Sequence, residues 1–300
     1  MKSTSKSYFH IAIAVASWST VASAFKIGLR YYSYYELLLV AAITAMLVFA
    51  LVVSFQKKWH LLKAINRKEW MLFAITGLLN PAGYYLILFK AYELLPAQIA
   101  QSINYSWAIV LTLLLALFMR QRIPALKFLG MAISLGGVAL ISLGSESFAG
   151  VQLSLMGLLL AFFSAFVWAS FWILNKMNGH IDNVLALFVS FLFGSLFLLM
   201  GLLFVDVQLQ SMKGLLSAVY VGLFEMAIPF IFFGLALKKT DNPALINQLC
   251  YLSPFISLFI IRSVLGEQIY FTTFIGLLLI VGGILFNEYG VKKPKNHQQY

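Results

Sequence analysis

Ten apolar stretches, each about 20 residues long, constrain this 300-residue chain more than any other feature of its sequence. They lie near residues 8–25, 34–54, 70–89, 96–119, 125–143, 151–175, 183–205, 213–237, 243–263 and 269–288. A segment of that length covers the hydrocarbon core of a bilayer when helical, and only a helix or a closed barrel satisfies its backbone where there is no water. Composition points the same way. Hydrophobic residues make up 62% of the chain and charged residues 10%, against roughly 25% charged in an average soluble domain. The expected class is therefore an all-α membrane protein of ten transmembrane helices.

The formal net charge of +11 does not indicate a nucleic-acid partner, because Lys and Arg punctuate the apolar stretches and do not gather on one face. Cytoplasmic loops retain positive charge, so the Lys and Arg positions orient the spans. With the N-terminus inside, the outer segments keep only Lys26, Arg30, Lys90, Lys213 and Arg262 of the 21 basic residues. The other 16 fall inside, five of them (Lys57, Lys58, Lys63, Arg67 and Lys68) in the loop around residues 55–69. Omitting one span would invert every later loop and scramble this split. The expected location is the inner (plasma) membrane, multi-pass, with both termini cytoplasmic. Ala22-Ser23-Ala24 resembles a signal-peptide cleavage site, but Trp18 in the same segment has a counterpart later in the chain, which a discarded peptide would not require.

That counterpart belongs to an internal repeat. At an offset of 146, Gln101 meets Asn247, Tyr105 meets Tyr251, Gly130 meets Gly276, and Gly136-Gly137 meet Gly282-Gly283. At an offset of 150, Trp18 meets Trp168 and Lys26 meets Lys176. The expected halves are residues 1–148 and 149–300, each of five spans. Five is odd, so the second half enters the membrane from the opposite side: the repeat is inverted, a transporter architecture in which a fixed site lies between the repeats. The paired glycines also suit close helix packing in lipid.

Polar residues at membrane depth need a partner or a watery cavity. Gln98, Gln101, Tyr105 and Thr112 share one helical face of the fourth span, and Asn247, Tyr251 and Pro254 take related positions in the ninth. Both faces are expected either to line one cavity or to bond neighbouring helices. Glu225 lies 12 residues after Lys213 and 13 before Lys238, near the midplane, where an ionised carboxylate is expensive. It is expected to face a cavity or to be protonated, and it suits a proton or a substrate ammonium. Trp18, Trp107, Trp168 and Trp172 carry aromatic faces well inside their spans, able to stack on flat or cationic molecules or simply to pack. The substrate-binding set expected from these arguments is Trp18, Gln101, Tyr105, Trp168, Glu225, Asn247 and Tyr251.

Catalytic constellations are missing from the sequence. His10, His60, His180 and His297 lack metal-site spacing, and no Gly-rich phosphate loop precedes Lys-Ser or Lys-Thr. Cys250, the single cysteine, lies in an apolar run and is expected to be a small buried hydrophobe. No cofactor or metal is expected, and the chain is not expected to be an enzyme.

Several short motifs bear a family resemblance. Trp18-Ser19-Thr20 followed by Lys26-Ile27-Gly28, Gly266-Glu267 after the ninth span and the Gly-Gly pairs of the fifth and tenth make the chain resemble EamA-type permeases of the drug/metabolite transporter superfamily. Asn104-Tyr105-Ser106-Trp107, Phe166-Val167-Trp168-Ala169 and Asn175-Lys176 are similar to the aromatic amino-acid exporter branch, although Ala108 stands where that branch has proline and Arg120-Gln121 replaces an acidic residue. The resemblance implies export of amino acids or related small metabolites through a central cavity. The midplane Glu225 makes a proton the candidate coupling ion, and the working unit is expected to be a monomer or homodimer. A membrane-embedded enzyme using Glu225 as general base on a lipid-linked substrate is the alternative, and a non-transporting assembly or sensor protein a third reading. The topology makes a prediction: reporters fused after Gly150 and after Tyr300 should read opposite sides of the membrane, and the same side for both would exclude ten spans.

Overall fold

A computed structural model describes residues 2–118, 124–149, 153–177, 179–240 and 243–287, and among them there is helix and no strand. Helices α1 (Lys2–Gly28) and α2 (Tyr34–Phe55) are long and continuous, and α3 (Arg67–Gly77) is joined to α4 (Tyr84–Leu94) through a kinked segment, Leu78–Gly83. A short α5 (Ala97–Asn104) and α6 (Trp107–Phe118) follow, then α7 (Ala125–Ala149), α8 (Leu155–Met177) and α9 (Asn183–Gly201). A π-helical segment, Gly222–Ala227, joins α10 (Met212–Val221) to α11 (Ile228–Lys238), and the chain continues through α12 (Pro243–Leu249), α13 (Leu252–Leu265) and α14 (Phe271–Leu285).

Seven helical stretches among the described residues are long and apolar enough to cross a membrane, and Leu126–Ile141 and Phe271–Leu285 are shorter apolar helices. The expected fourth span is split into α5 and α6 at Tyr105-Ser106. Arg120 and Gln121, cited in the resemblance, lie outside the described residues, as do the side chains of Thr112 and Lys176. The outward faces are apolar: Phe204 is 88% exposed and Phe55 83%, a surface that hydrocarbon stabilises and water would not. The core between helices is built from aromatic and small residues, with Phe25, Phe49, Phe89 and Phe191 all but fully buried. Ala22-Ser23-Ala24 is buried within α1, which packs against α11 and α13.

Helix starts follow local chemistry. Ser33 and Glu36 form a capping box at α2, Asn66 and Glu69 another at α3, and Asp182 caps α9. Lys58 lies 2.6 Å from Asp182. Burial opposes ionisation of Asp182, but Lys58 and the Leu185 amide outweigh it and hold its carboxyl below the ordinary range. At the other end of the same helices, the Gln208 amide donates to Glu36 (2.6 Å), Tyr32 donates to the Ser211 carbonyl (3.0 Å) and Tyr35 donates to the Leu198 carbonyl.

The two bent spans match in position more than in form. The irregular segments begin at Leu78 and Gly222, 144 residues apart; the first is a kink with Asn80 extended (φ −147°, ψ 120°) before Pro81, and the second is a π-helical turn that precedes Pro229, each proline lacking an amide to continue the α-helical ladder. The breaks between α5 and α6 and between α12 and α13 fall at Tyr105-Ser106 and Cys250-Tyr251, 145 residues apart.

Helices α7 and α14 pack antiparallel through glycine. A Cβ on Gly130 would strike the Gly283 carbonyl and Asn287, and a Cβ on Gly276 would strike the Gly137 carbonyl and Ile141. Shifting each number by 146 turns the first contact into the second, so this interface maps onto itself under that offset. Ser134 donates to the carbonyl of the residue 146 positions on, Ile280, at 2.9 Å. Close packing was expected of all four glycines in the Gly-Gly pairs, and this needs correction: Gly137 and Gly283 are enclosed, whereas Gly136 and Gly282 face open space with nothing within 4 Å. Adjacent residues point 100° apart on a helix, so both members of a pair cannot face one partner. Gly137→Leu should therefore lower the thermal midpoint of the detergent-purified protein, by the equivalent of about 1–3 kcal/mol or more. Gly136→Leu should leave it no lower, and equal losses in the two variants would contradict this packing.

Candidate functional site

The bends and breaks converge on one cavity. Its volume is about 960 Å³, and its wall includes residues of α1, α4, α5, α6, α8, α11 and α12. All seven expected residues line it: Trp18, Gln101, Tyr105, Trp168, Glu225, Asn247 and Tyr251.

Glu225 illustrates how the backbone places a side chain. It is residue 14 of the 27 in the stretch Met212–Lys238, hence central, and it sits in the π-helical segment. Four residues later Pro229 has no N–H, so the Glu225 carbonyl loses its helical donor. The Trp18 indole supplies a replacement, donating to that carbonyl at 3.2 Å. The carboxyl itself accepts from the Tyr85 hydroxyl, at 3.0 Å to Oε1, and among the described residues no Lys, Arg or His pairs with it.

Aromatic rings form much of the wall. Trp168 lies 4.6 Å from Tyr84 and 6.0 Å from Phe230 between ring centres, and Trp18 lies 6.3 Å from the same Phe230. Trp18 and Trp168, 150 residues apart, thus both approach one phenyl ring. Tyr84 donates to Asn104 Oδ1 (3.1 Å), and Asn104 Nδ2 donates to Ser164 (2.8 Å). These bonds fix the α4, α5 and α8 walls to one another.

Next to Phe25 and Tyr92 of the cavity wall lies a clasp of hydrogen bonds. Lys26 Nζ donates to the Tyr92 and Leu95 carbonyls (2.9 and 3.0 Å), which lie at the C-terminus of α4 where the helix presents free carbonyls. The Ala97 amide, at the start of α5, donates to Glu267 (3.1 Å). Gly266 makes this reach possible: its left-handed φ of 69° ends α13 and turns the chain toward α5. Gln98 donates to the Gln268 carbonyl (2.8 Å) and accepts from the Tyr270 amide (3.1 Å). The cavity wall also includes Lys127, Asn175, Gly179 and Asn287.

One alternative is decided and one expectation changes. Gln98 shares a face with Gln101 in the sequence pattern and takes the second of the two roles expected of that face: it bonds the Gln268–Tyr270 segment and does not line the cavity. Cys250 is half-buried and lines the cavity, whereas a buried hydrophobe was expected. Tyr84, Tyr85 and Phe230 were not singled out from the sequence. Tyr84-Tyr85 follow Asn80-Pro81 where Ile228-Pro229 follow Phe224-Glu225, so aligning the third and eighth spans at offset 144 would have drawn attention to them.

Comparison with known proteins gives a consistent result. The chain matches the EamA-like transporter family over residues 5–143 and again over 155–289. It is 27% identical over 293 residues to the uncharacterized transporter YdfC of Bacillus subtilis (strain 168), covering 94% of this chain and 90% of that protein. It is 25% identical over 223 residues to the uncharacterized transporter YvbV of the same organism, covering 73% and 72%. A crystal structure with 19% sequence identity superposes with a TM-score of 0.66, covering 95% of this chain and 96% of that one, and shows the fold alone. The geometry carries a labelling prediction. In a Cys250→Ser background, Tyr105→Cys and Tyr251→Cys should both react with a small water-soluble thiol reagent, and indifference of both would mean that these faces only bond helices together.

Proposed function

The chain belongs to the EamA-like transporter family, and on that premise we propose a secondary transporter that exports small amphipathic metabolites, amino acids or related compounds, by alternating access. The observation that carries this reading is the cavity at the meeting of two bent and two broken helices, walled by both halves of the chain and flanked by the clasp. Broken helices at membrane depth are tolerated where they line a cavity, and such cavities are where transporters hold their cargo.

Ten crossings in two inverted halves, 1–148 and 149–300, account for several independent features together. The glycine contacts of α7 and α14 interchange under the 146-residue shift, the irregular segments recur at 144, and the family match falls in two segments. With the basic loops cytoplasmic, the Lys26 clasp closes the outer end and the Lys127 end faces the cytoplasm, an inward-facing state. Export would proceed by release of the clasp and closure of the Lys127 end around cargo held between Tyr105 and Tyr251. Glu225 is the acid of the described cavity wall; the titratable groups around it are the phenols Tyr84, Tyr85, Tyr92 and Tyr105, with the Cys250 thiol and the Tyr251 phenol on the same wall. It is our candidate for carrying a coupling proton.

Proteoliposomes test the proposal. A panel of amino acids and amines should reveal saturable flux driven by an imposed pH gradient, and Glu225→Gln should reduce the driven flux by about tenfold or more with its thermal midpoint unchanged. Absence of saturable flux for the whole panel would overturn the reading.

A further inference from the structure

The cavity has a charge asymmetry that narrows its cargo. Among the described residues lining it, the charged side chains are Glu225, deep in the wall, and Lys127, near the start of α7 at the mouth. Lys26, the other cation close by, is held away by the Tyr92 and Leu95 carbonyls.

Backbone donors at the breaks are partly engaged. Half-helix N-termini can bind carboxylates when their amides are free. Ahead of α6 the Tyr105 amide donates to Gln101 O (3.2 Å) and Ser106 to Ile103 O (3.0 Å), and in its first turn Ile109 donates to Ser106 O (3.0 Å); ahead of α13 Cys250 donates to Asn247 O (3.3 Å) and Tyr251 to Gln248 O (2.9 Å), and in its first turn Ser253 donates to Cys250 O (3.1 Å). A guest carboxylate would meet neutral amides and hydroxyls at the depth of Glu225, in a setting where an uncompensated negative charge beside another is costly.

A guest cation meets the opposite environment. Glu225 has two oxygens and about four acceptor sites, of which the Tyr85 hydroxyl takes one. Trp18, Trp168 and Trp172 line the same space, and indole rings attract a desolvated ammonium. At about 960 Å³ the cavity lies in the range that holds drug-sized molecules.

We infer that this cavity takes a monovalent organic cation with a flat apolar body, its ammonium seated on the Glu225 carboxylate and its ring among the tryptophans, in place of a zwitterionic amino acid. The inference rests on the transport reading of the same cavity and narrows it. It is tested with three probes that share one phenyl ring: 2-phenylethylamine, 2-phenylethanol and phenylalanine, titrated calorimetrically into the purified full-length protein. The amine should bind about tenfold or more tighter than either of the others, and Glu225→Gln should abolish that preference while leaving 2-phenylethanol unchanged. Phenylalanine binding as tightly as the amine would overturn the inference, and so would Glu225→Gln binding the amine like wild type. If the variant does not fold, the three probes on the wild-type protein still decide. Saturable phenylalanine flux without amine binding would remove the cation and leave the carrier. Glu225-dependent amine binding with no flux of any cargo would keep the cation site and remove the carrier.

Discussion

Hydrocarbon offers no hydrogen bonds, and the architecture of this chain follows from how its backbone copes with that fact. Each departure from a regular helix exposes amides or carbonyls that lipid cannot satisfy. The departures are therefore placed where protein can satisfy them. Pro229 strips the Glu225 carbonyl of its donor and Trp18 restores one from another helix. The free carbonyls ending α4 are taken by Lys26, and an amide opening α5 by Glu267. Satisfying these groups is also what brings helices distant in sequence around a common cavity, so the demand for backbone partners and the formation of a site are one requirement.

The sequence displays some of this and conceals the rest, for definite reasons. Polar residues at helical spacing in an apolar background stand out, and Gln101, Tyr105, Asn247 and Tyr251 were legible on that ground. Glu225 was legible because a carboxyl far from both ends of a span is costly anywhere but a cavity. Gln98 is spaced as though on the same stripe, but it lies one turn nearer the end of its helix, where the Gln268–Tyr270 segment reaches it. Depth along the helix decided its role, and periodicity carries no depth.

The backbone irregularities were less visible. The break at Cys250-Tyr251 has a sequence cause, because Pro254 removes the donor for the Cys250 carbonyl, which accepts from Ser253 instead. The matching break at Tyr105-Ser106 has Ala108 in that place, and no single residue announces it. Tyr84 and Tyr85 read as ordinary core aromatics in an apolar span, and only the bend at Asn80-Pro81 turns one toward Asn104 and the other toward Glu225. For the glycines the type was informative and the direction was not: Gly136 and Gly137 are chemically identical, yet only one meets a neighbouring helix.

The frame and the chemistry of this molecule do not share a symmetry. Glycine contacts, helical bends and tryptophans have counterparts at offsets of 144 to 150 residues, but the residue 144 positions before Glu225 is Pro81, which carries no charge. In the proposed carrier the two facing states would have similar shapes while the lone carboxyl sits on one side of the axis relating them. Two conformations equal in packing would then differ in free energy according to which water phase reaches that carboxyl, so an empty carrier would rest mostly on one side. Such a bias would make loading from the two sides kinetically unequal, while the gradients alone would set the direction of net movement.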